Sequence, residues 1–286
     1  MTVLEVIQRS TDFLTRKGVD SPRLQAELLL ANVLRLPRMR LYLEFERELA
    51  PAETELLREL VRRRGQREPL QHILGSASFC GIEITVSRAV LIPRPETEIL
   101  AERGWSFLNH LAGPHQSPVA ALDFGTGSGC LAIALAQHCE SAKIAAADIS
   151  AEALTLARQN AARYGLGERL RFLEGDGFAA VPAGEKFDLI ISNPPYIPSG
   201  EIASLQPEVR DYDPRTALDG GTDGLEFYRR LAAESGPFLE PAGRLMLEFG
   251  DGQAAALRAL FEQQKWIVEA VDEDYTHRPR ILVVRR

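Results

Sequence analysis

The sequence predicts an α/β protein in which a small helical domain precedes a mostly parallel sheet with helices on both faces. Three observations carry this expectation. From Val119 onward, strand-like runs alternate with helix-like ones, and βαβα order implies parallel pairing through crossover helices. The stretch from Thr2 to about Arg64 instead repeats apolar residues at helical spacing. After the first strand of the alternating region, Asp123-Phe124-Gly125-Thr126-Gly127-Ser128-Gly129 makes a glycine-rich turn that opens a helix. The 286 residues suffice for about two domains at roughly 150 residues each, with a sizeable core.

The elements follow in order. Val3, Val6, Ile7 and Phe13 mark a first amphipathic helix; Leu24, Leu28, Leu29 and Leu34 mark a second, and Leu56, Leu57 and Leu60 a third. Ser21-Pro22 supplies an N-cap followed by proline at the first helical position, Pro37 halts the second helix and Pro51 opens the next. Residues 1–66 are therefore expected to form a small helical domain. Between Glu68 and Leu91 the pattern changes to short apolar runs in which Ile82, Ile84 and Val86 alternate with Glu83 and Thr85, so residues 67–93 read as a β-hairpin connector. A helix is expected from Pro95 to about Leu111, with Glu96 and Glu98 at its positive end, and the linker Gly113–Pro118 follows.

Residues 94–286 make the second domain. Its alternating runs are VAALDF, GCLAIALAQHC, KIAAAD, AEALTLARQNAARY, RLRFLEG and FDLIIS, followed by a helix near Gly224 to Ser235, the strand RLMLEF, a helix from Ala254 to Gln263, and the strands WIVEAV and RILVV. Such a sheet binds its ligand at the carboxyl ends of its strands.

Composition excludes several classes of function. The balance of 33 basic and 40 acidic residues, a net charge of −7, argues against a broad grip on polyphosphate, so no direct nucleic-acid binding is expected. Cys80, Cys130 and Cys139 form no close pair, which disfavours a disulfide framework, and the five histidines show no ligand spacing, so no metal is expected. Glu5, Arg9 and Asp12 interrupt the N-terminal apolar residues, and Leu131–Ala136 is far shorter than the roughly 20 residues that span a bilayer. A cytoplasmic monomer with reduced thiols and no membrane partner is the expectation.

Two constellations bear chemistry. The first is the glycine turn, where missing side chains let backbone approach a ligand. Its spacing is GxGxG behind an acidic residue, unlike the dinucleotide GxGxxG, and resembles the first motif of class I S-adenosylmethionine methyltransferases. A tight strand-helix junction is its other reading. Asp148 ends the next strand, where a carboxylate accepts hydrogen bonds from ribose hydroxyls, and Ile149 beside it suits an adenine face. Asp148 or Ser150 would equally cap the helix that follows. Asp176, Gly177 and Phe178 end the third strand and suit the adenine side, or simply a turn.

The second constellation, Asn193-Pro194-Pro195-Tyr196, leaves the fourth strand at the same sheet edge. Two prolines stiffen the loop, and a rigid turn is the bland alternative. A planar amide or aromatic amine is a poor nucleophile, because its lone pair is delocalised, so a methyltransferase must align that NH2 with the sulfonium methyl. The Asn193 side-chain oxygen and the Pro194 carbonyl suit its two N–H bonds, and Tyr196 suits its flat face.

Around these motifs stand Arg67-Glu68-Pro69-Leu70-Gln71-His72-Ile73-Leu74-Gly75, Leu91-Ile92-Pro93-Arg94-Pro95-Glu96-Thr97-Glu98, and Ala217-Leu218-Asp219-Gly220-Gly221 through Asp223-Gly224-Leu225. With them the sequence resembles, over nearly its whole length, the protein-(glutamine-N5) methyltransferases that modify bacterial peptide chain release factors. Phe124, Gly177 and His277-Arg278-Pro279-Arg280 depart from the family's usual residues. The resemblance implies a class I methyltransferase fold, Rossmann-like with seven strands, and S-adenosyl-L-methionine as cofactor. It implies that residues 1–66 recognise a release factor and that the glutamine of its Gly-Gly-Gln motif is methylated. Asp123, Gly125, Thr126, Gly127, Ser128, Gly129, Asp148, Ile149, Asp176, Gly177, Phe178 and Asn193 then form the cofactor site; Asn193, Pro194, Pro195 and Tyr196 bind the substrate, with Asn193, Pro194 and Tyr196 catalytic. Rival expectations are methylation of a ribosomal-protein glutamine or of adenine N6 in nucleic acid, a module that binds without turnover, and a nicotinamide oxidoreductase.

Overall fold

Four helices open the chain: α1 (Val3–Arg16), α2 (Pro22–Leu34), α3 (Pro51–Gly65) and α4 (Leu70–Leu74). The computed structural model describes all 286 residues. These helices belong to one of its two units, Met1–Ser76 together with Leu205–Tyr212. Thr2 and Glu5 exchange bonds in a capping box at the start of α1. Along α1, Val3, Val6, Ile7 and Leu14 face inward and pack with Leu29 and Leu30 of α2 and Leu57 and Leu60 of α3. Ser21 does not cap α2 as its sequence position suggests: it sits at φ +47° with no side-chain bond to the helix, and Pro22 at the first helical position starts the helix without it.

The unit is completed from far along the chain. Arg64, only 4% exposed, donates to Glu208 Oε1 at 2.6 Å, and Arg67 grips the same carboxylate at 2.7 Å through each of two nitrogens. Glu208 lies in the one-turn helix Pro207–Arg210.

The second unit comprises Ala77–Ser204 and Asp213–Arg286. It begins within β1 (Ser76–Phe79), which forms a hairpin with β2 (Ile82–Thr85), and α5 (Pro95–Ala112) follows. Then come β3 (Val119–Phe124), α6 (Cys130–His138), β4 (Ala142–Asp148), α7 (Ala151–Arg163), β5 (Leu170–Glu174) and β6 (Phe187–Ser192). The chain ends with α8 (Glu226–Glu234), β7 (Leu239–Glu248), α9 (Ala254–Gln263), β8 (Ile267–Glu273) and β9 (Pro279–Arg285). Seven strands form one sheet in the order β5-β4-β3-β6-β7-β9-β8. All pairs are parallel except those of β9, which runs against both β7 and β8.

Both faces of the sheet are covered, so its strands are apolar throughout rather than alternating. Ala121, Ile144, Leu189 and Met246 pack with α5, α6 and α7, while Leu122, Ala145, Ile190 and Leu245 pack with α8 and α9. Gly104 lets α5 lie this close: a Cβ there would come within 2.9 Å of Leu135 Cδ2 and 3.0 Å of Ile191 Cδ1. No helix is long and apolar enough to cross a membrane. Strand order reverses between β3 and β6, and in open α/β sheets that point leaves a ligand crevice at the carboxyl ends.

Candidate active site

The crevice is a cavity of about 690 Å³. Ser192 Oγ, at the end of β6, donates to the Phe124 carbonyl at the end of β3 at 2.6 Å, so the glycine turn and the Asn-Pro-Pro-Tyr loop leave the sheet side by side.

Gly125 and Gly127 adopt φ of +75° and +53°, in the region that favours glycine, and a Cβ on either would meet no protein atom within 4 Å. Their open side faces the cavity, which Thr126 and Ser128 also line. Gly129 plays a different part: its Cβ would stand 3.1 Å from Ala157 Cβ, so it is the glycine that lets α7 approach, and it does not line the cavity. Asp123 lies beneath the turn, completely buried. Its Oδ2 accepts from Thr126 Oγ1 at 2.6 Å and from the Ala132 N–H at 3.2 Å, while Oδ1 has no partner, and burial pushes the carboxyl up to about 7.

Asp148 ends β4 on the cavity wall. Its Oδ2 accepts from the Gly127 N–H at 2.8 Å and its Oδ1 from the Ser150 N–H at 2.9 Å. Each carboxylate oxygen keeps a lone pair for a further donor. Capping of α7 falls to Ser150, whose Oγ accepts from Ala153 N–H at 3.1 Å. Ile149, 67% exposed, is an apolar side chain held open on this wall.

Asp176 and Gly177 also line the cavity. The Asp176 carboxylate pairs with Arg230, whose guanidinium lies over Gly177 so that a Cβ there would come within 2.7 Å of Arg230 Nη2. Phe178 turns away from the cavity. It is 4% exposed, stacked on Phe238 with centroids 4.8 Å apart and tilted against Phe124 at 4.9 Å.

Asn193, Pro194 and Pro195 line the same cavity. Asn193 Nδ2 donates to Thr97 Oγ1 at 3.1 Å, which leaves the carboxamide oxygen available. Tyr196 stands behind the loop rather than on the cavity surface: Gln253 Nε2 donates to its carbonyl at 3.0 Å, its ring packs beside Gly250, and burial pushes its phenol up to about 12.

The structure thus brings Gly125 to Ser128, Asp148, Ile149, Asp176, Gly177 and Asn193 to Pro195 onto one cavity, with Asp123, Gly129, Phe178 and Tyr196 supporting it from behind. It adds Thr97, from the first turn of α5, and Arg230, which the sequence reading passed over, and it places on the same cavity Arg94, which by sequence alone reads as a turn residue and which pairs with the buried Asp213 at 2.6 Å. A Pro-Glu-Thr-Glu helix start carries no signal that its threonine meets a loop nearly a hundred residues on. No group of three or more His, Cys, Asp and Glu side chains converges as a metal site.

These residues suit an adenosine-bearing sulfonium. The open backbone of Gly125 and Gly127 makes a cradle that side chains would fill, Asp148 presents acceptors for vicinal hydroxyls, and Ile149 presents an apolar face for a ring.

Comparison with known proteins identifies the family and the fold. Residues 5–75 match the family described as PrmC N-terminal domain, and residues 106–205 match the Methyltransferase small domain. The release factor glutamine methyltransferase of Geobacter sulfurreducens is 44% identical over 263 residues, covering 92% of this chain and 89% of that one. Its counterpart in Chlorobaculum tepidum is 45% identical over 262 residues, covering 91% and 89%. A solved methyltransferase from Pyrococcus furiosus shares the fold, with a TM-score of 0.53 at 20% identity, over 72% of this chain and 90% of that one.

Proposed function

The chain belongs to the release factor glutamine methyltransferase family, and we propose that its cavity holds S-adenosylmethionine on the glycine-turn wall and a release-factor glutamine on the Asn193 wall. The enzyme transfers a methyl group to the side-chain nitrogen N5 of that glutamine, in the Gly-Gly-Gln motif of a peptide chain release factor. The observation that carries this assignment is the placement of Asn193, at the end of β6, on the same cavity as Asp148 and the turn, with its carboxamide nitrogen already engaged by Thr97.

Gly125 to Ser128 bring backbone close to the cofactor, Asp148 accepts from its ribose hydroxyls and Ile149 covers its adenine. Asp176 and Gly177 border the adenine edge. When bound, S-adenosylmethionine supplies a methyl group on a positively charged sulfur that departs with the bonding pair. This chain contributes orientation. Asn193 Oδ1 and the Pro194 carbonyl accept the two N–H bonds of the glutamine amide, which fixes its plane and holds its nitrogen still. Such alignment is worth effective molarities of roughly 10⁵ to 10⁸ M. Pro195 stiffens the loop, Tyr196 braces it from behind, and Asp123 and Gly129 shape the turn. The Pro194 carbonyl accepts a hydrogen bond from one N–H of the glutamine amide; once the nitrogen–methyl bond has formed, the proton that the nitrogen loses passes to solvent, because a peptide carbonyl is too weak a base to keep it.

In this reading residues 1–66 recognise the release factor beyond its loop, and Met39 and Leu43, 65% and 78% exposed, are apolar side chains available for it. The protein works as a cytoplasmic monomer on a translation factor, without direct contact to nucleic acid.

Transfer of labelled methyl to a purified bacterial release factor tests the assignment, with a Gln→Ala substitution in its Gly-Gly-Gln loop and an adenine-containing duplex as parallel substrates. Label on the intact release factor alone supports it. Label on the duplex would move the acceptor to adenine, and label on the substituted factor would move it to another residue.

A further inference from the structure

Tyr196 closes the Asn193-Pro194-Pro195-Tyr196 loop, and its carbonyl meets Gln253, the last residue before α9. Gln253 Nε2 donates to that carbonyl at 3.0 Å and to the Gly224 carbonyl at 3.4 Å, while Gln253 Oε1 accepts from the Gly250 N–H at 2.8 Å. The two ends of a carboxamide look alike, so its orientation is read from its partners. All three partners here are backbone groups: a carbonyl only accepts, and a backbone N–H only donates. The Gln253 nitrogen therefore faces the loop and its oxygen faces Gly250.

Two glycines let the carboxamide reach the loop from behind. A Cβ on Gly224, at φ +74°, would overlap the Tyr196 carbonyl oxygen and come within 2.7 Å of Gln253 Nε2, and one on Gly250 would come within 2.9 Å of Tyr196 Cδ2 and 3.0 Å of Gln253 Oε1. The loop's own bonding is sparse. Pro194 and Pro195 have no N–H to donate, and after the β6 ladder the next backbone N–H to bond is that of Ile197, which donates to the Leu218 carbonyl at 3.0 Å. Prolines stiffen the shape of a loop but do not fasten it to the body of the protein. At the near end Ser192 Oγ supplies a tie, on the Phe124 carbonyl at 2.6 Å, and at the far end Gln253 supplies one. Asn193 and the Pro194 carbonyl lie between the two.

We propose that Gln253 is a positioning residue for methyl transfer: by holding the Tyr196 carbonyl from behind, it sets where Asn193 and the Pro194 carbonyl stand in the cavity. This rests on the reading of those two as the groups that hold the glutamine amide. Gln253 does not line the cavity, so it acts through the loop and not by touching substrate or cofactor. The glycine turn, where the Gly127 N–H is tied to Asp148, is held independently of it.

The test compares Gln253→Glu, Gln253→Met and Asn193→Ala in the full chain. Turnover and KM are measured with a purified bacterial release factor, S-adenosylmethionine affinity by calorimetry, and thermal stability in parallel. Gln253→Glu keeps the shape and the acceptor for the Gly250 N–H, and a carboxylate is favourable at the start of α9, but it sets oxygen against two carbonyl oxygens. Its kcat is expected to fall roughly 10- to 100-fold, the scale of a reacting group misplaced by about 1 Å, with cofactor affinity, KM and melting temperature nearly unchanged. Gln253→Met, uncharged and of similar length, loses the same donor and is expected to lose kcat alike; it carries the contrast if Gln253→Glu folds poorly. Full activity in Asn193→Ala would overturn the underlying reading of the site. An impaired Asn193→Ala beside Gln253 variants that turn over like the parent would overturn the positioning role alone, as would a loss of kcat that falls in step with cofactor affinity or melting temperature.

Discussion

The Gly127 N–H donates to Asp148 Oδ2 at 2.8 Å, so the glycine turn after β3 and the acidic end of β4 are joined into one wall. Asp148 thus holds the turn in shape, and on the proposed function it also accepts from the cofactor's ribose.

Replacing Asp148 by alanine is expected to act chiefly on cofactor binding. Hydrogen bonds to a charged group are worth about 1.5 to 3 kcal/mol, so the S-adenosylmethionine dissociation constant should rise roughly 10- to 100-fold. Turnover at saturating cofactor should change much less. Calorimetry that finds undiminished affinity removes Asp148 from the ribose role.

Asn193→Ala should do the reverse. On the proposed function the carboxamide holds the substrate and not the cofactor, so turnover is expected to drop by roughly 10²-fold or more while cofactor affinity stays close to that of the parent. A parallel loss of cofactor affinity would place Asn193 on the wrong wall.

Gly127→Ala separates stability from binding. At φ +53° an alanine costs about 1 kcal/mol of backbone strain, yet its methyl meets no protein atom within 4 Å. A small fall in melting temperature with a large loss of cofactor affinity is expected. Normal affinity would show that the open side of the turn does not face the ligand.

Stability should decline as pH rises through the weakly acidic range. Burial pushes the carboxyls of Asp123 and Glu248 up to about 7, from usual values of 3.8 and 4.5. Between those limits the folded chain holds more protons than the unfolded one. The stability their neutral forms provide is complete at low pH, is lost as pH rises toward 7 and levels off above it, with a slope of at most about 1.4 kcal/mol per pH unit for each group. The buried Asp213, raised in the same direction by desolvation against the pull of Arg94, adds to the trend. Urea unfolding from about pH 5 to pH 8 should show a shallower decline for Asp123→Asn; an identical slope in both proteins would exclude Asp123 as a source.

Glu208→Ala leaves Arg64, 4% exposed, without its carboxylate partner. Breaking a buried pair from one side costs about 3 kcal/mol, and the loss should appear in unfolding of the helical unit. Chemical denaturation followed by a probe in that unit checks it; a change within about 0.5 kcal/mol, the scale of ordinary surface substitutions, would mean that Arg64 finds other partners.

Much of this molecule was legible in its sequence because the relevant signals are local. Continuous apolar runs such as FDLIIS belong to strands buried on both faces, and the glycines and Asn193 follow strand ends, so a parallel sheet brings them to one edge. What strand order could not tell was which way a side chain points. Asp123 and Phe178 stand beside cavity residues in sequence but turn into the protein, one under the turn and one against Phe238. Ser21 has the residue type of a cap without its geometry, since its backbone is left-handed. Thr97 was invisible for another reason: its meeting with Asn193 depends on α5 packing beside β6, a relation between distant segments that no local pattern encodes.

The ion pairs of Arg64 and Arg67 with Glu208 also set a timetable. Glu208 lies 144 residues after Arg64. At synthesis rates of about 5 to 20 residues per second, the emerging helical unit waits on the order of ten to thirty seconds for its last segment. Throughout that interval the two guanidinium groups lack this acceptor, and the segment that supplies it arrives only after β3, β4, β5 and β6 have been made. The helical unit is thus made before strands β3 to β6 and finished after them.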